Sequence, residues 1–248
     1  MVKISIVTAV YNRAKTISDA IDSVLGQTGC EIEYIVVDGL SKDGTEDVVR
    51  SYGDRITKYI REKDSGIYDA LNKGVAAATG DVIGFLHADD VLAGTDIARA
   101  IAEPFKNASI DAVFGDLQYV DAENTNRVIR NWKSGQYDRS KFLYGWMPAH
   151  PTFYLRREHY QNLGVYRDDF QIAADYELML RMLFKNQLNA KSIDKVLVKM
   201  RVGGKSNSSI ANRLVANRED ARAWSLNDLK APMGLRWMKP LRKIGQYF

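Results

Sequence analysis

At 248 residues, with 46% hydrophobic and 27% charged side chains, the chain has the make-up of a globular protein with room for a substantial core. No window offers the roughly 18 uninterrupted apolar residues of a membrane span, and MVKISIVTAVYN enters a strand-like pattern without a signal-peptide region, so a cytoplasmic location is expected. The net charge of +4 is uneven: residues 1–198 hold 24 Lys and Arg against 28 Asp and Glu, whereas 199–248 hold 11 against 3, so any partner attracted by positive charge belongs to the tail.

Strand-like and helix-like patterns alternate from the start, which predicts an α/β fold with a largely parallel sheet. ISIVTAV (4–10) reads as the first strand, and Ile17, Ala20, Ile21, Val24 and Leu25 recur at helical spacing within about 14–27. EYIVVDG (33–39) is the second strand. The turn SKDGT leads to a helix near Glu46–Tyr52 and a short strand near Lys58–Arg61. A helix over Ile67–Ala78 ends before Gly80 and delivers the chain to DVIGFLH (81–87). Further strands are expected at Ala112–Phe114, Gln118–Val120 and Thr152–Leu155, with a helix at about Asp175–Lys185. Cys30 is the one cysteine, which excludes an intrachain disulfide or a multi-cysteine metal site and leaves an inert thiol.

In an open α/β sheet, ligands gather at the carboxyl ends of the strands. The first strand ends at Thr8, Val10, Tyr11 and Asn12, the second at Asp38, and DVIGFLH runs into the doubled carboxylate Asp89–Asp90. Adjacent carboxylates repel, so the pair needs a metal ion or a basic partner unless both face water in a loop capping the next helix. No G-x-G-x-x-G follows the first strand, which disfavours a dinucleotide-binding oxidoreductase. VGGKSNSS (202–209) fails as a Walker A loop, because Lys199 stands where glycine is required; a mobile flap or an ordinary turn remains.

TAVYNR (8–13), VVDGLSKDGT (36–45), EKDSGIYDALNKGVAAATGD (62–81), HADD (87–90) and AADYELMLR (173–181) together resemble the family 2 glycosyltransferases of the GT-A fold, in order and spacing, over about residues 3–201. The resemblance implies a mostly parallel, Rossmann-like mixed sheet flanked by helices. It also implies inverting transfer of one sugar from a nucleotide diphosphate sugar, UDP-linked first of all, to an acceptor hydroxyl. In such an enzyme Asp38 would accept from the base N3–H beside Tyr11, and Thr8, Val10, Asn12, Asp64 and Lys73 would surround the nucleotide. Asp89 would hold the ribose or support the metal, and Asp90 would bind Mn²⁺ or Mg²⁺, oxygen-seeking ions that neutralise a departing diphosphate. Asp175 would be the general base. His150, between Pro148 and Pro151, would face the metal or the acceptor, or be structural; His87 supports the carboxylates or is structural. Glu177 and Arg181 read as structural.

The expected organisation is a catalytic domain over 1–205, with a nucleotide-binding half to about 115 and an acceptor half from 116, then a basic helical extension over 206–248. In 231–248, Trp237, Leu241, Ile244 and Phe248 share helical spacing beside Arg236, Lys239, Arg242 and Lys243. That pattern suits an anionic membrane surface and a polyprenyl-diphosphate-linked glycan acceptor in surface polysaccharide synthesis. Packing on protein is the alternative, and nucleic acid is not expected. Two other functions compete with transfer: a sugar-nucleotide nucleotidyltransferase, whose Gly-rich phosphate loop VYNRAK lacks, and a non-catalytic sugar-nucleotide-binding partner.

Overall fold

The computed structural model describes residues 2–203, 210–232 and 234. Strand β1 (Lys3–Val10) is followed by α1 (Ile17–Leu25), β2 (Glu31–Asp38), α2 (Thr45–Ser51), β3 (Lys58–Arg61), α3 (Ile67–Ala77) and β4 (Val82–Phe85). The chain then forms β5 (Val91–Leu92), α4 (Ile97–Ala102), β6 (Ala112–Val120), β7 (Val128–Trp132), β8 (Tyr154–Arg156) and α5 (Arg157–Leu163). Helix α6 (Ala174–Met179) runs on as a π-helical turn over Leu180–Lys185, and β9 (Ala190–Arg201) and α7 (Ile210–Leu226) complete the described fold.

One sheet carries the order β3-β2-β1-β4-β8-β6-β9-β5, with β7 paired to β6. Strands β1 to β4 are mutually parallel, because apolar helices α1 and α3 cross over between them. Strand β8 runs antiparallel to both β4 and β6, and β9 lies parallel to β6. The carboxyl ends of β1, β2, β4, β6 and β9 therefore share one edge of the sheet. Buried residues fill both faces, Ile4, Ile21 and Val36 on one and Val7, Ile35 and Phe114 on the other, which is why the inner strands read as unbroken apolar runs.

Several elements differ from the pattern-based expectation. The two strands expected at 112–114 and 118–120 are one, β6, whose register against β9 shifts around Gly115 and Asp116. Strands β7 and β9 and helix α5 lack a clear apolar period. Helix α7 is not a free extension: Ala223 and Trp224 are buried in the core beside Phe184 and Tyr176. The division expected at 205 falls in 204–209, outside the described residues, as does nearly all of the 231–248 tail. No helix among the described residues is long and apolar enough to cross a membrane.

The edge opposite the strand carboxyl ends is tied by a buried carboxylate. Glu33 accepts from Ser5 Oγ at 2.6 Å and from the Thr79 backbone and hydroxyl at 2.7 Å each, with Lys58 Nζ 3.6 Å away. Burial on its own would raise the Glu33 pKa, but these hydrogen bonds and the lysine charge outweigh it and bring it to about 2. A depressed carboxylate stabilises the fold above its ordinary pKa and loses that contribution as pH falls toward the folded value. The stability gap between wild type and Glu33→Gln is therefore expected to be full at neutral pH and to narrow from about pH 5 to about pH 3, read from urea unfolding across that range; a gap independent of pH would contradict the assignment.

Candidate active site

The loops after β1 and β2 are stitched into one rim. Gly39 N–H donates to Val10 O at 3.0 Å, Asn12 N–H to Ser41 Oγ at 2.9 Å, Lys42 N–H to Asn12 Oδ1 at 2.9 Å and Arg13 N–H to Thr45 Oγ1 at 2.8 Å. Asn12 sits at φ 52°, a left-handed conformation that asparagine tolerates better than most residues. This turn points Tyr11 outward, leaving the residue 56% exposed at the carboxyl edge of the sheet. Asn12 therefore shapes the rim through its backbone and Oδ1. Thr8 and Val10 are buried as well, with Thr8 Oγ1 accepting from Tyr34 Oη at 3.1 Å, so their side chains lie beneath the crevice and not on its wall.

Asp38 departs most from its expected role. It is fully buried; Oδ1 accepts from Ser41 N–H and Oδ2 from Tyr59 Oη, both at 2.8 Å. It pins the turn and presents no exposed oxygen to a base. The half-buried carboxylate at this strand end is Asp64, whose Oδ2 occupies the space a side chain at 39 would fill: a Cβ on Gly39 would stand 2.1 Å from it. Lys73 was expected at the diphosphate. Its ammonium instead bonds Lys63 O at 2.5 Å and pairs with Glu62 and Asp69 at 3.1 and 3.5 Å, so it braces the loop that carries Asp64. Asn72 exchanges two hydrogen bonds with the Tyr166 backbone, joining α3 to the segment before α6.

The doubled carboxylate divides its labour. Asp89 is partly exposed, with Arg13 Nε 3.9 Å from Oδ2. Asp90 is buried; Oδ1 accepts from Arg201 N–H at 3.2 Å, and buried Oδ2 has no hydrogen-bond partner. Burial, then the charge of Asp89, pushes the Asp90 pKa well above the usual carboxylate range, and Arg201 offsets only part of this. Arg201 also donates to Asp89 O at 2.6 Å, Ala122 O at 3.0 Å and Asp19 Oδ2 at 2.5 Å, fastening the end of β9 under the motif. Among the described residues no group of three or more His, Cys, Asp or Glu is arranged to hold a metal ion. An unpartnered buried oxygen beside a second, exposed carboxylate nevertheless fits one hard cation whose remaining oxygens come from a ligand.

Asp175 lies in the first turn of α6, and its Oδ2 is 3.1 Å from His150 Nδ1. The His150 ring meets the His87 ring edge-on with centroids 5.7 Å apart. Through these two rings Asp175 reaches the HADD segment. Burial lowers the His150 pKa to about 4; burial and then the charge of His150 lower His87 to about 4, against the pull of Asp89 and Asp175. Both imidazoles are neutral near pH 7.

The segment before Asp175 is held by a residue the sequence did not reveal. Glu219, buried on α7, accepts from the backbone N–H groups of Gln171, Ile172 and Ala173 at 2.7, 2.9 and 2.8 Å. Trp224 Nε1 donates to Tyr176 Oη at 2.9 Å, and Asn227 Nδ2 to Glu177 Oε1 at 3.0 Å. Arg181 grips buried Glu177 through both carboxylate oxygens at 3.0 Å, so this pair is structural, as the sequence suggested. No local pattern marks Glu219, because its partners lie about 48 residues away. Cys30 is half-buried just before β2, and burial, then the charge of Glu31, raises its pKa.

A mixed, mostly parallel sheet flanked by helices, with an exposed aromatic and a paired carboxylate at its carboxyl edge, has the architecture of the GT-A fold. Solved structures carry the same fold. S. aureus TarS residues 1–349 in complex with UDP-GlcNAc gives a TM-score of 0.72 at 18% identity, covering 92% of this chain and 68% of that one. The chain spans 41% of a longer TarS chain. The mannosyltransferase PcManGT from Pyrobaculum calidifontis, in complex with GDP-Man and Mn²⁺, gives 0.66 at 20% identity, covering 97% and 73%. Residues 5–172 match Glycosyl transferase family 2. A PGL/p-HBAD biosynthesis glycosyltransferase of Mycobacterium bovis is 31% identical over 212 residues, 83% of this chain and 80% of that protein. The chain belongs to glycosyltransferase family 2 and is a transferase, which sets aside the nucleotidyltransferase and non-catalytic readings.

Replacing Glu219 by alanine leaves three backbone N–H groups without their acceptor. Glu219→Ala is expected to cost on the order of 3 kcal/mol and to lower Tm by roughly 5–10 °C, read by calorimetry; an unchanged Tm would show that the α7 contact does not hold this segment.

Proposed function

We propose that this glycosyltransferase moves one sugar, with inversion, from a nucleotide diphosphate sugar to a hydroxyl of a glycan acceptor. One observation carries the reading: Asp175, His150 and His87 form a continuous line of contacts ending two residues from Asp89, which supports a base at Asp175 within reach of a ligand held at HADD. That is the disposition an inverting displacement needs, with base on one side of the anomeric carbon and leaving group on the other.

In this reading the base of the nucleotide lies against Tyr11, and Asp64, rather than Asp38, accepts its N–H. UDP is the first donor to test, since TarS holds UDP-GlcNAc, and GDP the second, since PcManGT holds GDP-Man. Asp89 and Asp90 are the residues that would hold a divalent cation, Mn²⁺ or Mg²⁺, and such an ion would supply positive charge to offset that of the departing diphosphate. Asp90 Oδ2 supplies an oxygen already desolvated, and Arg201 fixes the backbone beneath it. Asp175 accepts the acceptor proton as its oxygen attacks. The surplus of positive charge in 199–248 supports an acceptor presented at an anionic membrane, such as a polyprenyl-diphosphate-linked glycan of surface polysaccharide synthesis, with the enzyme peripheral to the inner face.

The test is a panel of UDP-, GDP- and dTDP-sugars with Mn²⁺, following release of the free nucleoside diphosphate. One donor class is expected to turn over, EDTA to abolish turnover, and Asp90→Ala to lower it by about 100-fold or more while keeping the fold. Turnover that survives both EDTA and Asp90→Ala would contradict the cation assignment, and turnover of none of the donors would contradict the donor class.

A further inference from the structure

We propose that His150 is a positioning residue for the Asp175 carboxylate, acting through a hydrogen bond from its Nδ1–H. The inference rests on the reading of Asp175 as the general base and adds how that base is aimed.

The geometry is over-determined on the histidine side. His150 opens a 3₁₀ turn over His150–Thr152 in which Thr152 N–H returns to Ala149 O at 2.9 Å and Phe153 N–H to His150 O at 3.1 Å. Thr152 Oγ1 donates within reach of Ala149 O at 2.7 Å and Gly115 O at 3.0 Å, and accepts from Gly115 N–H at 3.2 Å. Ala149 N–H reaches Ser134 Oγ at 3.4 Å, while Ser134 N–H is held by buried Asp116 Oδ1 at 2.9 Å. These bonds anchor the turn to β6 at its register shift. The ring itself is fixed between Asp175 on one side and the edge of His87 on the other.

Asp175 has two side-chain torsions and stands one residue into a six-residue helix, so its carboxylate plane is not set by the backbone. The 3.1 Å contact to Nδ1 is a directional restraint on it. A neutral imidazole has one N–H, and facing an acceptor-only carboxylate that proton resides on Nδ1, leaving Nε2 as the acceptor nitrogen. In the transfer, the acceptor oxygen forms a bond to the anomeric carbon, and the bond from that carbon to the diphosphate oxygen breaks with its electron pair going to the diphosphate. The proton of the acceptor hydroxyl passes to the Asp175 carboxylate. A carboxylate turned by a fraction of an ångström from the line of that proton costs rate without changing donor binding.

Two measurements test this. Asparagine places an amide N–H where Nδ1–H stands, whereas glutamine fills more of the imidazole volume but places its N–H near Nε2. His150→Asn is expected to keep turnover of the panel's best donor within about fivefold of wild type, and His150→Gln and His150→Ala to lose about 30- to 100-fold in kcat, with donor KM and Tm unchanged in all three. Equal losses in Asn and Ala, or wild-type turnover in Gln and Ala, would overturn the proposal. Asp175→Asn is run alongside: if it retains turnover the base reading itself fails, while its loss together with fully active His150 variants would remove only the positioning role. Independently of turnover, the chain has three histidines, so ¹⁵N NMR at neutral pH resolves the His150 tautomer. Protonation at Nδ1 is expected; protonation at Nε2 would overturn the proposal.

Discussion

Asp90 Oδ2 is a carboxylate oxygen enclosed by protein with no hydrogen bond to satisfy it, and the crevice is arranged around that cost. Burying an unpaired carboxylate in a low-dielectric interior is unfavourable by several kcal/mol, on the order of the stabilisation a whole domain retains. The fold meets the cost in part with Arg201, whose backbone N–H reaches Asp90 and whose guanidinium grips the Asp89 carbonyl. The rest is unmet within the protein, and it is the ground on which we propose a cation there. Site strain of this kind persists only where the surroundings are rigid, and here they are: β4 leads into the motif from the middle of the sheet, and β9 ends beneath it.

The same logic extends outward. Parallel β1, β2 and β4 bring the Tyr11 rim, the Asp38 turn and HADD to one edge. The antiparallel β8 turns its amino end, and with it His150, to that edge. Asp175 comes from a helix outside the sheet, so its placement depends on packing rather than on strand register. Helix α7 supplies that packing through Glu219, Trp224 and Asn227. Helix α7 is thus packed into the same core as α6 and helps to place Asp175.

The first 90 residues were legible because their strands are buried on both faces and their helices amphipathic, so period and length agree. HADD and the AADYELMLR segment were legible for a different reason: they resemble family 2 glycosyltransferase segments in order and spacing, since a doubled carboxylate taken alone is equally well explained by a solvated cap. What stayed hidden depends on long-range geometry. Asp38 and Asp64 are 26 positions apart in the numbering, and only the absent side chain of Gly39 lets Asp64 take the outer place while Asp38 turns inward. Lys73 reads as a phosphate ligand until Glu62 and Asp69 are seen beside it. Strand β9, AKSIDKVLVKMR, intersperses lysines with apolar residues because much of it is only half covered, which erases the strand pattern. Glu219 had no signal at all, since a carboxylate on a polar helix is ordinary until three N–H groups are found facing it.

The most direct measurement is the anomalous diffraction of manganese in crystals grown with UDP and Mn²⁺. The account predicts one peak bridging the diphosphate and Asp90, within about 2.0–2.3 Å of Oδ2, with the base against Tyr11. Bound UDP with the manganese peak away from Asp90, or with the base on another face of the sheet, would contradict it.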